Sequence, residues 1–221
     1  MNNIRTIRVM GKGMIKLRPD LTKLMITLEG VYKEYSESVE HSSKDTESLK
    51  ELLSGFGFEK SDLKTIRFDV NPEYESYEEK NVYKERLVGY KYVHTMKIEF
   101  EPDNERLGKI LYALAYSELY PTFSISYTVK DQEAAKNELL GKAVKDAKEK
   151  AAVLAAASEV TLKEIQRIDY SWGDMDFEVR PMNGMVMDRM FKTVGAGSFD
   201  MDIEPDDIEV SDTVTIVWEI A

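Results

Sequence analysis

Cysteine is absent from the 221-residue chain, and histidine occurs only twice, as His41 and His94. The absence of cysteine excludes disulfide bonds, thiolate nucleophiles and cysteine-ligated zinc. Nothing in the sequence places the two histidines together, so neither a two-histidine metal site nor a nucleophilic triad has support. We therefore expect no metal site, no cofactor and no catalytic residue of these types.

Basic residues are outnumbered, with 30 Lys and Arg against 41 Asp and Glu, which gives a net charge of −11. An acidic chain repels phosphate backbones and anionic lipid, so general nucleic-acid binding and membrane-surface binding are not expected. No apolar run approaches the roughly 18 residues of a membrane-spanning helix. The first residues show no apolar signal core and no small-residue cleavage site, and we expect a cytoplasmic protein.

The stretch VMGKGMIKLRPD, residues 9–20, places two glycines around a lysine. A Walker-type phosphate loop needs Ser or Thr after its Gly-Lys, and a dinucleotide fingerprint needs a third glycine; Met14 and Lys16 violate these patterns. Alternation of residues 7–18 instead predicts a strand with one buried face, on which paired glycines indicate close approach of another element. The other face is basic, through Arg8, Lys12, Lys16 and Arg18.

Strands and amphipathic helices then follow in the order β-α-β-β-α-β between residues 24 and 129. The first helix is expected to begin at Ser36 or Ser38, and the second at Asp103. Strands at 66–70 and 88–100 flank a polar, tyrosine-rich stretch, NPEYESYEEKNVYKER, which predicts an exposed hairpin tip. This order is that of a ferredoxin-like split-βαβ unit and predicts an α+β two-layer sandwich with antiparallel sheets.

The rest of the chain predicts a long alanine-rich helix and flanking strands. Asp131 is the expected N-cap of a helix that runs to about Ser158 and buries a face of Ala143, Ala147, Ala151, Leu154 and Ala155. Strands are predicted at 165–172 and 214–220, and residues 173–207 form an irregular, Met-rich segment. We interpret residues 1–221 as one domain, built from a βαββαβ part at 22–130 and a second part made of 1–21 with 131–221.

Four stretches in this order resemble the SIMPL-domain family, a domain of unknown function with kinase-interacting mammalian members and exported bacterial ones. They are IRVMGKGMIKLRPDLTKLMITLEG at 7–30, LKTIRFDVNPEYE at 63–75, GKAVKDAKEKAAVLAAAS at 141–158 and IEPDDIEVSDTVTIVWEI at 203–220. The chain departs from the family in ASEVTLKEI, where members carry a glycine after the alanine helix. Its first residues show no signal-peptide pattern like that of many exported bacterial members, and we therefore do not expect a periplasmic role.

The resemblance implies an α+β fold that tends to self-associate. It implies no established enzyme activity, no cofactor and no agreed catalytic residues. Known members are described through partners, surface location or stress phenotypes, so no residue role is carried over.

Candidate site residues have plainer interpretations beside the functional ones. His94 lies on the apolar face of its predicted strand, which favours a hydrogen-bonded core or interface histidine over a ligand or base, and His41 sits in a polar helical stretch typical of a surface. The carboxylates Glu73, Glu75, Glu78 and Glu79 lack the alternate spacing and central glycine of a calcium loop and indicate a solvated tip.

Exposed tyrosines and unpatterned methionines are the best interface candidates. Tyrosine is favoured at interfaces because it combines apolar area with a polar end. The Met-rich segment is either an adaptable contact surface, a loop, or a cover for its own core. The basic strand face is either solvated charge or a contact for an acidic surface of a neighbouring subunit. The candidate interface residues are Tyr74, Tyr77, Tyr83, Met185, Met187, Met190 and Phe191.

These observations favour a non-enzymatic, SIMPL-like protein that acts by self-assembly, as a homo-oligomer, or by binding another protein. Two alternatives remain. One is an enzyme or a metal- or small-ligand-binding protein using carboxylates near Asp174, Asp176 and His94. The other is a carrier with an apolar pocket between sheet and helices.

Overall fold

A computed structural model describes residues 5–171, 173, 175–180 and 204–221. The elements in chain order are β1 (Thr6–Leu17), β2 (Leu21–Tyr32), α1 (Tyr35–Ser54), β3 (Lys64–Glu79), β4 (Val82–Phe100), α2 (Asn104–Ala115), β5 (Thr122–Thr128), α3 (Gln132–Ala157), β6 (Leu162–Asp169) and β7 (Ile208–Ile220). The described residues form two compact units: the split-βαβ unit, residues 21–127 with 180 and 204–205, and the long-helix unit, residues 5–20, 128–171, 173, 175–179 and 206–221. The predicted α+β class with antiparallel sheets is confirmed.

The split-βαβ unit has a four-stranded sheet in the order β3-β4-β2-β5. This order follows from the β-α-β-β-α-β sequence, because β4 inserts between β2 and β3 when it returns as a hairpin partner of β3. Alternate residues of β2 point into the core, where both helices bury their apolar stripes. Asp103 caps α2 as predicted, since its side chain accepts from the backbone N–H of Arg106 at 2.9 Å. The α2 residues in the core are Leu107, Ile110, Leu111 and Leu114.

Two details of this unit differ from the sequence prediction. The N-cap of α1 is Glu34, in a reciprocal capping box with Glu37, and neither Ser36 nor Ser38. Ser38 lies inside the helix, fully buried, and donates to the backbone carbonyl of Tyr90 at 2.7 Å. The third strand does not end near Val70 but continues to Glu79, so the predicted tip is itself a strand pair.

The long-helix unit has a three-stranded sheet in the order β1-β7-β6, and α3 packs on β1 and β7. Asp131 caps α3, since its side chain accepts from the backbone N–H of Ala134 at 2.8 Å. The helix buries small residues along one side, which lets its backbone approach the glycines of β1. The buried alanines of α3 are Ala135, Ala143, Ala147, Ala151 and Ala155.

Several side chains of this unit are placed differently from the prediction. Leu154 is 46% exposed and does not belong to the buried face of α3. Ile165 and Ile168 lie on a strand as expected, but they are exposed because α3 covers β1 and β7 more than β6. Phe177, from the segment without apparent pattern, is buried among apolar residues of β1, α3 and β7. Trp172 lies outside the described residues.

Among the helices of the described ranges, none combines the length and the apolar character needed to cross a membrane.

Candidate functional site

The hairpin of β3 and β4 continues beyond the sheet as a two-stranded ribbon, residues 73–89, here called the arm. The pairing of β2 with β4 begins only at Tyr90, so in the described part of the chain no third strand flanks the ribbon. The arm ends in a two-residue turn in which Lys80 and Asn81 both have positive φ, 55° and 61°. That geometry is that of the turn which best matches the twist of a hairpin. The exposed tyrosine-rich stretch of the sequence is therefore an ordered arm.

A register shift gives the arm two distinct faces. Between Glu73 and Tyr74 the pairing skips one residue of β4, so that Glu73 lies opposite Gly89 and Tyr74 lies opposite Leu87. Because opposite residues of a ladder share a face, the arm separates its tyrosines. Tyr74 and Tyr83 fall on one face, with Ser76, Glu78, Glu85 and Leu87; Tyr77 falls on the other, with Glu75, Glu79, Val82, Lys84 and Arg86.

The charged side chains on the face that carries Tyr77 form ion pairs with one another. Arg86 pairs with Glu75, and its guanidinium carbon lies 5.6 Å from the centre of the Tyr77 ring. Lys84 pairs with Glu79 next to the turn. These contacts satisfy the charged groups of the face locally, so it offers a partner little unmatched charge.

The opposite face, here called the acidic face, combines exposed apolar area with unmatched charge. Tyr74 is 57% exposed, Tyr83 79% and Leu87 48%. Glu78 and Glu85 lie among them and form no ion pair with any residue that the structure describes. Tyrosine is enriched at protein interfaces relative to the rest of the protein surface.

The root of the arm is fixed by a backbone contact. A Cβ atom on Gly89 would lie 2.2 Å from the carbonyl oxygen of Tyr32, so only glycine fits where β2 ends against β4. Tyr35 packs edge-on against Tyr90 with ring centres 5.7 Å apart, and the Ser38 hydroxyl donates to the Tyr90 carbonyl. The arm therefore leaves the sheet from a well-packed base.

His94 is a buried residue that links three elements. The Thr46 hydroxyl donates to the carbonyl of Ser42 at 2.7 Å, so it must accept from Nδ1–H of His94 at 3.0 Å. Nε2 is then the unprotonated nitrogen and accepts from the Thr65 hydroxyl at 2.9 Å. Burial, and then the charge of Lys50, lower the pKa of His94. With both nitrogens engaged, His94 is placed as the hydrogen-bonded core residue that its apolar neighbours predicted.

His41 lies in a cluster of aromatic and acidic residues around the first half of α1. Its ring stacks on Tyr32 with centres 4.0 Å apart, which makes it half-buried rather than a plain surface residue. Nearby, the hydroxyl of the buried Tyr92 donates to Asp45. Burial, and then that bond and the Asp45 charge, raise the pKa of Tyr92 well above its usual range. The cluster ties α1 to β2 and β4.

The remaining acidic candidates are not brought together. In the described residues, no group of three His, Asp or Glu side chains is arranged to hold a metal ion. Asp176 accepts from the backbone N–H of Glu178 at 2.9 Å, and Asp174 lies outside the described residues. Met185, Met187, Met190 and Phe191 of the candidate interface also lie outside them.

A small apolar groove of about 340 Å³ lies at the end of α2 and the start of β5. Tyr116 and Tyr120 line it and are 65% and 85% exposed. The other lining residues are Leu114, Ala115, Pro121 and Phe123.

The sequence identified the tyrosines of the arm but did not show which of them share a face. The register shift at Glu73 decides which tyrosines share a face, and nothing in the polar stretch signals it. Leu87 was missed because it falls between the polar stretch, which ends at Arg86, and the strand predicted from Val88. Gly89 carried a usable signal, a glycine within a long alternating strand, which indicates close approach of a backbone.

No protein of curated function matches the chain. The family described as SIMPL, protein of unknown function (DUF541), matches residues 7–218. This match extends over both units and overlaps every strand and helix in the described ranges, and the chain belongs to the SIMPL family.

Proposed function

We propose that this protein acts by assembling with itself or by binding another protein, through the acidic face of the arm, and that it does not catalyse a reaction. The observation that carries the proposal is the exposure of Tyr74, Tyr83 and Leu87 on the arm. The arm contributes little to the hydrophobic core of its unit. Exposed apolar side chains gathered on one surface are typical of interaction sites.

The construction of the arm supports a binding role. Gly89, Tyr90 and the buried Ser38 hydroxyl hold its root, and cross-strand ion pairs order its opposite face. An ordered ribbon loses less conformational entropy on binding than a loose loop of the same sequence. The arm thus offers a preformed surface.

The first experiment measures the mass of the protein in solution by light scattering, from about 1 to about 50 µM, the range in which specific assemblies form. We expect an oligomer whose mass falls toward that of a monomer in the variant Tyr74→Ser/Tyr83→Ser/Leu87→Ser. The matched control, Tyr116→Ser/Tyr120→Ser, removes two exposed tyrosines of the same unit and should leave the mass unchanged.

Protein binding without self-assembly has its own test. If the wild-type chain is a monomer, cross-linking and affinity capture with wild-type and triple-variant baits should recover a protein with the wild type alone. A monomeric chain whose captured proteins are the same for both baits would contradict the proposal.

The groove beside α2 favours a second candidate function, the binding of a small apolar molecule. Its volume of about 340 Å³ lies at the lower end of ligand sites, and its lining is apolar and aromatic. Native mass spectrometry of the purified chain would show a retained mass that Tyr116→Ser/Tyr120→Ser reduces. A chain that carries no added mass and gains no thermal stability from apolar compounds would contradict this candidate.

A further inference from the structure

The outer face of β1 carries unmatched positive charge in an otherwise acidic protein. The strand has three basic residues and no acidic one. Lys16 pairs with Asp207 and Glu209 at 3.6 and 3.3 Å. Arg8 and Lys12 form no ion pair with the described residues, and the neighbours opposite them on β7 are the neutral Val217 and Thr213.

Two methionines alternate with these charges on the same face. Met10 is 60% exposed and Met14 58%. Methionine adapts its shape to a partner and makes favourable contacts with aromatic rings. Arg8, Met10, Lys12 and Met14, here called the β1 stripe, therefore form a basic surface with exposed thioethers.

The acidic face of the arm is complementary to this stripe. The acidic face has unpaired carboxylates at Glu78 and Glu85, and the stripe has unpaired cations. The acidic face also exposes tyrosine rings, and the stripe exposes methionines. Charges left unpaired within each chain find partners when the two surfaces meet.

We propose that the acidic face of one copy docks on the β1 stripe of a second copy. This inference rests on the proposed function and specifies its partner surface. The contact is head-to-tail, so each copy both gives an arm and receives one, and the assembly closes into a ring or grows as a filament. Direct pairing of two acidic faces is disfavoured because it brings four carboxylates together without a cation.

Charge reversal tests the pairing. The stripe variant is Arg8→Glu/Lys12→Glu, and the arm variant is Glu78→Lys/Glu85→Lys. Light scattering should show that each variant alone falls to a monomer at a concentration where the wild type assembles. An equal mixture should assemble again, because each variant then meets a surface of opposite charge. Assembly of the wild type should weaken between about 0.05 and 1 M NaCl, since exposed charges are screened.

The control is Lys148→Glu/Lys163→Glu, which makes the same charge change at exposed residues of the long-helix unit and should assemble normally. If the stripe reversal does not fold, judged by circular dichroism, the neutral variant Arg8→Gln/Lys12→Gln replaces it, with at least a tenfold weaker assembly expected.

Two results would overturn the inference while the proposed function stands: a stripe variant that assembles like the wild type while the arm variant does not, or a mixture that stays monomeric. A wild-type chain that is monomeric throughout the concentration range overturns the inference as well.

Discussion

Gly11 of β1 lies directly under the backbone carbonyl of Ala143 in α3. A Cβ atom on Gly11 would stand 2.0 Å from that oxygen and 2.6 Å from the backbone nitrogen of Ala147. Gly13 has the same relationship to Leu139, whose carbonyl oxygen would be 2.2 Å away. The paired glycines let the helix backbone rest on the strand backbone, and the alanines of α3 complete the contact.

Replacing Gly11 by alanine should destabilise the protein. The clash is with backbone, which cannot rotate away, so we expect a loss of about 3 kcal/mol in the free energy of unfolding, the upper end of typical overpacking costs. This corresponds to a melting temperature lower by roughly 6–12 °C for a chain of this size. Thermal unfolding followed by circular dichroism measures the change.

Gly141→Ala is the matched control for that substitution. Gly141 lies on the exposed side of α3, and a Cβ there meets nothing within 4 Å. Because alanine is the better helix former, this variant should gain about 0.5–1 kcal/mol. Equal melting temperatures for the two variants would show that the helix does not rest on Gly11.

Ser38→Ala should lower stability through a buried hydrogen bond. The Ser38 hydroxyl is fully buried and donates to the Tyr90 carbonyl, so its loss leaves that acceptor without this partner. We expect a cost of about 1–2 kcal/mol in urea unfolding. Ser43→Ala on the exposed side of α1 should change stability by less than about 0.5 kcal/mol. Similar effects of the two substitutions would argue against the contact.

The sequence predicts what depends on local periodicity and misses what depends on long-range pairing. Gly11 and Gly13 were assigned to a buried strand face because alternation alone places them there. Serine is a better N-cap than glutamate by residue type, and this preference wrongly predicts Ser36 or Ser38 as the cap of α1. The helix begins after Glu34, and Ser38 lies inside it, where its hydroxyl donates to a carbonyl of β4.

The arm shows the same limit within the candidate site. Its exposure follows from polar composition, but the separation of Tyr77 from Tyr74 and Tyr83 depends on a one-residue skip in the ladder. A slip of one residue moves a whole set of side chains to the opposite face. The sequence alone therefore could not predict that Glu78 and Glu85 form no ion pair with the described residues.

His94 should make stability depend on pH near neutrality. Its pKa is lowered in the folded protein, chiefly by burial, so the unfolded chain binds a proton more readily. The stabilising contribution is complete above the unfolded pKa of about 6.5 and is lost as the pH falls below it toward the folded pKa. Urea unfolding between about pH 5 and pH 8 should give a steeper decline for the wild type than for His94→Gln. Parallel curves would contradict this assignment.

Asp146→Ala should expose the edge of β1. The Asp146 carboxylate accepts from the backbone N–H of Lys12 at 2.7 Å, across the open side of an edge strand. The bond to Lys150, and then the one to Lys12, lower the pKa of Asp146, so the carboxylate is charged at neutral pH.

Unpaired backbone amides at the edge of a sheet can pair with strands of other chains. The Asp146 carboxylate occupies the amide of Lys12 and prevents such pairing there. Hydrogen exchange should show faster exchange of the Lys12 amide in Asp146→Ala, whereas Asp146→Asn retains an acceptor and should exchange more slowly than the alanine variant. Unchanged exchange in Asp146→Ala would mean that the carboxylate does not protect the edge. If the Lys12 amide loses its protection, two kinds of association can be told apart. Assembly through the outer face of β1 should change with substitutions at Arg8 and Lys12, whereas uncontrolled pairing along the strand edge should change with substitutions at Asp146.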